Sequence, residues 1–420
     1  MYVLPISEVT SMHFGFLSFP GHGHINPTLP LVEELLRRGH RVSYAVQQPF
    51  AAAVERAGAD VVLVPGNGVA AMSGFDLKSG AMAERLGGMI EESLAGYETV
   101  IEAWTADPVV AICYDKMMIT APMITEQLAV PGIALNPTYA GNEEFEPRRE
   151  MLRQLAFDAR GAEVAATMKS TMESLGRTLT EFAGRHGVQP PRPFESTPAE
   201  LNLVFIPKRF QPQAQTFDDR FVFVGPDLGA RADEVWQPRL ADRPLLFISL
   251  GTAFNDQPDF FRTCLEAFGS EPWQVAMAIG EAITVDDLGP VPANFEVRPY
   301  FPQPAVLKHA QVFLSHAGMN STLESLASGV PLVAVPQMPE QAMNAYQVDD
   351  LGLGRALDPT MITAKLLRET VAEVAADRTL RARVAAFRGE LAAAGGAVAG
   401  ADAIEAHLEA VRPLSLPLGT

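Results

Sequence analysis

The chain has 420 residues, 48 % of them hydrophobic and 20 % charged. At roughly 150 residues per domain this length predicts two or three domains, and the balance excludes wholesale disorder. Lys plus Arg number 32 and Asp plus Glu 50, a net charge of −18 that repels phosphate backbones and anionic lipid.

Neither nucleic acid nor a membrane is therefore expected as a partner. Cys113 and Cys264 sit in apolar surroundings and read as buried free thiols of a reducing cytosol. No run reaches the ~18 apolar residues of a membrane helix. The N-terminus lacks the basic and apolar regions of a secretion signal, so a cytoplasmic location is expected. Residues 1–11 read as a tail, with Met12 as an alternative start.

Residues 12–19 form a short apolar run of the kind that makes a buried parallel strand. A Gly/Pro turn is expected over 20–27, then a helix with Leu29, Leu31, Val32, Leu35 and Leu36 inward, ending at Arg37-Arg38-Gly39. Arg41–Val46 is the next strand, and the unit opens a doubly wound α/β domain. Further strands are expected near 60–64, 109–114, 132–135, 202–206 and 220–224. Residues 148–186 read as helical, and the proline-rich 187–200 as loop.

Residues 226–243 mix Gly, Pro, Asp and Arg and read as a linker. The α/β rhythm then restarts. Strands are expected at 245–249, 273–279, 295–297, 312–315 and 332–335, with helices over 258–268 and from about Asn320. The Ala-rich stretch 364–411 reads as helical, broken at Gly395-Gly396. Two α/β halves of similar size should meet across a cleft.

Three groups of residues carry chemistry. The first is Pro20-Gly21-His22-Gly23-His24-Ile25-Asn26-Pro27, between strand and helix. A dinucleotide loop is the obvious suspicion, but Asn26 stands where the third glycine belongs, and Gln47-Gln48 where the ribose acid belongs. A nicotinamide oxidoreductase is thereby weakened. A histidine at the ligand-binding edge of such a sheet can act as a general base, or serve only as a turn residue. The second is Tyr114-Asp115, ending a strand at the same edge. Its carboxylate can orient and charge-stabilise His24, or cap the following helix.

The third lies between Tyr300 and Gln341. Ser315-His316-Ala317-Gly318-Met319-Asn320-Ser321-Thr322 joins a strand to a helix, where backbone N–H groups can bind phosphate. His316 and Ser321 add donors there, unless Asn320 or Ser321 is merely a cap. Glu324, one turn on, can accept from two ribose hydroxyls. Glu340 and Gln341 suit sugar hydroxyls, and Tyr300 offers a face to a base.

The segment resembles the nucleotide-sugar signature of family 1 glycosyltransferases, which have the GT-B fold. Phe-Pro-Gly-His-Gly-His-Ile-Asn-Pro, Phe-Val-Gly-Pro at 223–226, Ser-Leu-Gly-Thr at 249–252, Glu-Gln-x-x-Asn-Ala at 340–345 and Ala-Gly-Gly at 394–396 are similar to the bacterial macrolide branch. The resemblance implies two Rossmann-like domains facing across a cleft. An acceptor domain would span 12–225 and a nucleotide-sugar domain 244–395, joined by the linker 226–243. A last helix over 396–420 would pack back on the first domain.

It further implies that His24 is the acceptor-activating base and Asp115 its partner. Tyr300 would stack on the base, with Gln303 in the same turn. Thr252, His316, Gly318, Asn320 and Ser321 would hold the phosphates, Glu324 the ribose, and Glu340 and Gln341 the sugar. Two positions depart from the family pattern: Tyr300 replaces a usual Trp, and Glu340-Gln341 a frequent Asp-Gln. UDP-glucose is the expected donor and a thymidine diphosphate sugar the second candidate.

The expected reaction is inverting transfer of a hexose to a hydroxyl of a macrolide or polyphenol, as in antibiotic secondary metabolism. No Asp-x-Asp occurs, so no metal and no cofactor beyond the nucleotide-sugar co-substrate is expected. Eleven of the 16 methionines fall within 1–172. Met117, Met118 and Met123, just after Asp115, are candidate acceptor contacts, since methionine makes adaptable apolar surfaces. The chain is expected as a monomer or homodimer. A non-catalytic sugar-nucleotide-binding homologue is the alternative of a different class; it predicts a lost base or phosphate site.

Overall fold

The computed structural model describes residues 11–66, 81–147, 149–150, 161–191, 198–240, 242–252 and 255–411. Residues 1–10 of the expected tail, part of the expected 148–186 helix and of the 187–200 loop, and residues 412–420 lie outside them. No described helix is long and apolar enough to cross a membrane.

The first half is built on a seven-stranded sheet: β1 (His13–Leu17), β2 (Arg41–Val46), β3 (Asp60–Leu63), β4 (Ala111–Asp115), β5 (Gly132–Asn136), β6 (Leu201–Val204) and β7 (Phe221–Phe223). Its helices are α1 (His22–Ile25), α2 (Leu29–Arg37), α3 (Gln48–Arg56), α4 (Ala81–Ala106), α5 (Ala121–Leu128) and α6 (Gly161–His186). The strands pair in parallel in the order β3-β2-β1-β4-β5-β6-β7. Helices cover both faces, which is why β1 and β6 are buried at every residue. Gly15 lets Trp104 of α4 lie directly on β1: a Cβ there would stand 2.7 Å from the indole.

The second half repeats the plan. Strands β8 (Leu245–Ser249), β9 (Gln274–Ala278), β10 (Phe295–Arg298), β11 (Ala310–Ser315), β12 (Leu332–Ala334) and β13 (Gly354–Ala356) pair in parallel in the order β10-β9-β8-β11-β12-β13. Its helices are α7 (Pro258–Phe268), α8 (Gln303–Leu307), α9 (Met319–Ala327), α10 (Pro339–Asp350), α11 (Ala364–Ala376) and α12 (Arg378–Ala393). The final helix, α13 (Gly396–Val411), lies on α2 and β6 of the first half. In each sheet the strand order reverses beside the first strand, between β1 and β4 and between β8 and β11. Ligands bind doubly wound sheets at those points.

Several elements differ from the sequence expectations. The turn over 20–27 is helical from His22, and a 3-10 turn (Asn26–Thr28) leads into α2. The described part of segment 226–243 is a strap held by both halves, packing on α2 of the first and α8 of the second. It contains a 3-10 turn (Gly229–Asp233), and Trp236 is buried edge-on against Phe301 and His309. The stretch 364–411 also breaks at Asp377, whose carboxylate accepts from the Thr379 and Leu380 N–H groups and starts α12.

Candidate active site

Both switch points open onto one cavity of about 2680 Å³ between the halves. That exceeds the 300–1,000 Å³ or so of a typical single-ligand pocket, so two substrates fit side by side.

On the first half, α1 carries His24 and β4 ends on Asp115. His24 Nδ1 lies 2.7 Å from Asp115 Oδ2, and Asp115 is fully buried while the imidazole is 20 % exposed to the cavity. The other Asp115 oxygen accepts from the Met117 N–H (2.7 Å), which fixes the carboxylate. Asp115 thus both holds His24 and closes the turn after β4; it does not cap α5, which begins at Ala121. The buried Thr28 hydroxyl bonds the Ile25 carbonyl and Tyr44 Oη (both 2.8 Å), pinning α1 from beneath.

On the second half, β8 leads to Gly251 and Thr252, and β11 leads through Ala317 to α9. Ala317 has φ +59, a left-handed conformation costly for alanine, and it turns the chain sharply at the cavity. The N-cap of α9 is Gly318, with no side-chain cap, so neither Asn320 nor Ser321 serves as one. The first N–H groups of α9 are therefore not satisfied by a capping side chain. Asn320 Nδ2 instead reaches across to the Gly23 carbonyl, at 3.3 Å. Gly251 and Gly318 flank His316: a Cβ at 251 would stand 2.6 Å from the ring, and one at 318 would overlap Nε2. His316 Nδ1 is buried without a protein hydrogen-bond partner, as is Tyr139 Oη on the opposite wall. Both residues line the cavity, where a ligand could supply the missing partner.

Glu324 is 6 % exposed and held from two sides. Arg231 Nη1 donates to Oε1 and Gln303 Nε2 to Oε2, both at 2.7 Å. Gln303 Nε2 also lies 3.2 Å from Ser321 Oγ, so Gln303 links Ser321 to Glu324. Tyr300 is 64 % exposed and presents its ring to the cavity. Glu340 and Gln341 begin α10; Asn344 Nδ2 reaches Glu340 (3.3 Å), and Gln341 Oε1 accepts from the Gln337 N–H (2.7 Å).

The electrostatics separate the histidines. Burial opposes charge on His24, but the Asp115 charge and hydrogen bond, helped by Glu340, outweigh it and raise its pKa above the ordinary value. His316 is pushed down to about 4 by burial, against the Ser249 carbonyl, and stays neutral at working pH. His22 is lowered by burial and by the Arg231 charge. Burial raises the Glu340 carboxyl, against Asn344 and His24.

The structure brings His24, Asp115, Thr252, Tyr300, Gln303 and His316 to the wall of this cavity. Gly318, Asn320, Ser321, Glu324, Glu340 and Gln341 line it too. Met117 and Met118 line it on the first half. Met123 does not: it is fully buried beneath α5 with Tyr97, Trp104 and Ile112, so it is a core residue and not an acceptor contact. The sequence reading missed Arg231 and Tyr139. Nothing local marks Arg231, since its partner is 93 residues away.

Two facing doubly wound halves with their switch points on a shared cleft define the GT-B fold. Residues 265–400 match the family described as erythromycin biosynthesis protein CIII-like, C-terminal domain. The chain is 39 % identical to NDP-glycosyltransferase YjiC of Bacillus subtilis (strain 168), over 94 % of this chain and 97 % of that one. It is 32 % identical to the oleandomycin glycosyltransferase of Streptomyces antibioticus, over 98 % and 95 %. Among solved structures, the calicheamicin glycosyltransferase CalG4 superposes with a TM-score of 0.80 at 34 % identity, over 96 % of this chain and all of that one. The chain belongs to the family 1 glycosyltransferases and is an enzyme of sugar transfer.

Proposed function

We propose that the enzyme transfers a hexose, glucose first among candidates, from UDP to a hydroxyl of a bulky apolar natural product. It inverts the anomeric centre and uses no metal. The observation that carries this reading is the 2.7 Å His24–Asp115 pair facing the uncapped start of α9 across one cavity. With Nδ1 committed to Asp115, Nε2 is the nitrogen that takes a proton. The acceptor O–H gives its proton to Nε2 as its oxygen bonds to the anomeric carbon. The carbon–phosphate oxygen bond breaks, and the nucleoside diphosphate leaves with the electron pair. An α-linked donor gives a β-glycoside. Asp115 stabilises the imidazolium, while α9 N–H groups, Thr252 and Ser321 meet the leaving charge.

Glu324 suits ribose hydroxyls, Tyr300 a base, and Glu340 with Gln341 the sugar. Met117 and Met118 suit a macrolide or polyphenol skeleton. The free buried thiols Cys113 and Cys264 fit a cytosolic location. Purified protein, without added metal, is to be mixed with macrolides and polyphenols and either UDP-glucose or a dTDP-deoxysugar. A hexose mass gain with UDP-glucose, and a β-linkage by NMR, is expected. Gain only with the dTDP donor moves the role to deoxysugar transfer. Retained configuration overturns the single-displacement scheme.

A further inference from the structure

Arg231 lies in the strap between the halves, in neither sheet. Its side chain is 28 % exposed and lines the cavity, with Nη1 on Glu324 Oε1. It also borders a small cleft shared with Asn26 and Asn320, beside the first turn of α9. The strap thus brings a cation to the same cleft as the first turn of α9, where a phosphate is expected.

A nucleoside diphosphate brings at least two negative charges. The donor-side groups named above meet it with hydroxyls and backbone N–H groups, and His316 is neutral. Arg56 and Lys116 also line the cavity, but they stand on the first half. Dipoles alone meet part of such a charge; a guanidinium matches it by geometry as well as sign. On Glu324, Arg231 occupies an oxygen that a ribose hydroxyl would use.

We propose that Arg231 is a further donor-binding residue, which leaves Glu324 for the diphosphate when the ribose arrives. This rests on the nucleotide-sugar reading above. The exchange conserves pairing: the carboxylate gains two hydroxyl donors, the guanidinium gains phosphate oxygens, and no charge is left bare.

The test is Arg231→Gln, which keeps an N–H donor for Glu324 and removes the charge. Calorimetric titrations compare UDP with uridine at low and moderate salt. UDP affinity should fall roughly 10- to 100-fold, as expected for a charge-assisted hydrogen bond. Uridine affinity should hold within about threefold, and the salt dependence of UDP binding should flatten. Arg231→Lys, which keeps charge but not the fork, should fall between and serves if the Gln variant does not fold. Equal losses for UDP and uridine would overturn the proposal, making Arg231 only a prop for Glu324. Unchanged UDP affinity would overturn it too, with the donor site intact. A wild-type protein binding neither UDP nor dTDP removes the donor-site reading and this inference together.

Discussion

At the scale of single residues, His24 and Asp115 make separable predictions. General-base catalysis contributes about 10²–10⁴-fold. His24→Ala should lose that much kcat while UDP affinity, to which His24 makes no proposed contribution, stays within about twofold; steady-state rates and calorimetry on one preparation decide. The base works deprotonated, and Asp115 raises the His24 pKa. The acidic limb of kcat/KM against pH should therefore lie above the ordinary imidazole value of about 6.5. Asp115→Asn should move that limb to lower pH and cut the maximal rate about 10²-fold or more, because the imidazolium and its tautomer lose their partner. A limb that stays put would detach Asp115 from the base. Linkage has the matching sign. The His24–Asp115 pairing stabilises the fold fully below the unfolded-state pKa and loses that contribution as pH rises through the folded one.

At the scale of elements, the strand–turn–helix joints carry the site, and their glycines differ in what they do. Gly318 has φ −60, which alanine accepts, yet a Cβ there would overlap His316 Nε2. Gly318→Ala should fold normally and weaken UDP binding about tenfold or more by displacing His316. Gly251 has φ +78 and faces the same ring, so alanine there adds a backbone cost of about 1–2 kcal/mol and should lower the melting temperature as well. Gly23 has nothing within 4 Å of a Cβ, and Gly23→Ala should leave the melting temperature unchanged. The elements legible in the sequence are those with one uniform environment: β1, β8 and β11 as apolar runs, α2 and α7 as one-sided apolar stripes. Helix α10 was missed because it buries Gln341 and Asn344 toward the site along with Met343 and Val348, which breaks the apolar period. The reach of Arg231 was invisible for a different reason. Gly, Pro and Asp around it read only as a linker, and the buried Trp236 five residues on, with no apolar pattern around it, holds that linker in place. Met123 misled because it follows Asp115 in sequence, whereas the helical turn of α5 aims it inward.

At the scale of the whole molecule, the chain passes between the halves twice, once through the strap and once at Gly395, and ends by clasping the first half. Helix α13 buries Ala401, Ile404 and Leu408 in the first half's core. It packs closely because Gly400 leaves room: a Cβ there would already stand 3.2 Å from Leu31. Arg38 pairs with Asp402 and Glu405 (2.7 Å each), and the buried His40 with Glu405 (2.8 Å). Partly exposed pairs of this kind contribute about 1 kcal/mol or less each. Burial of Ile404 and Leu408 contributes about 1.5–3 kcal/mol apiece, so the apolar face outweighs the ion pairs. Truncation after Gly395 should therefore cost the first half about 3–6 kcal/mol, whereas Glu405→Ala should cost about 1 kcal/mol. The core on β8–β13 and α7–α12 includes no residue of α13, although Tyr139, Phe210 and Phe217 of the first half join it. The truncated protein should unfold in two denaturant transitions, the earlier one belonging to the first half. UDP binding should survive that first transition, and acceptor turnover should vanish with it. A single transition at the wild-type midpoint would show that the clasp contributes nothing to how the two halves hold the cleft between them.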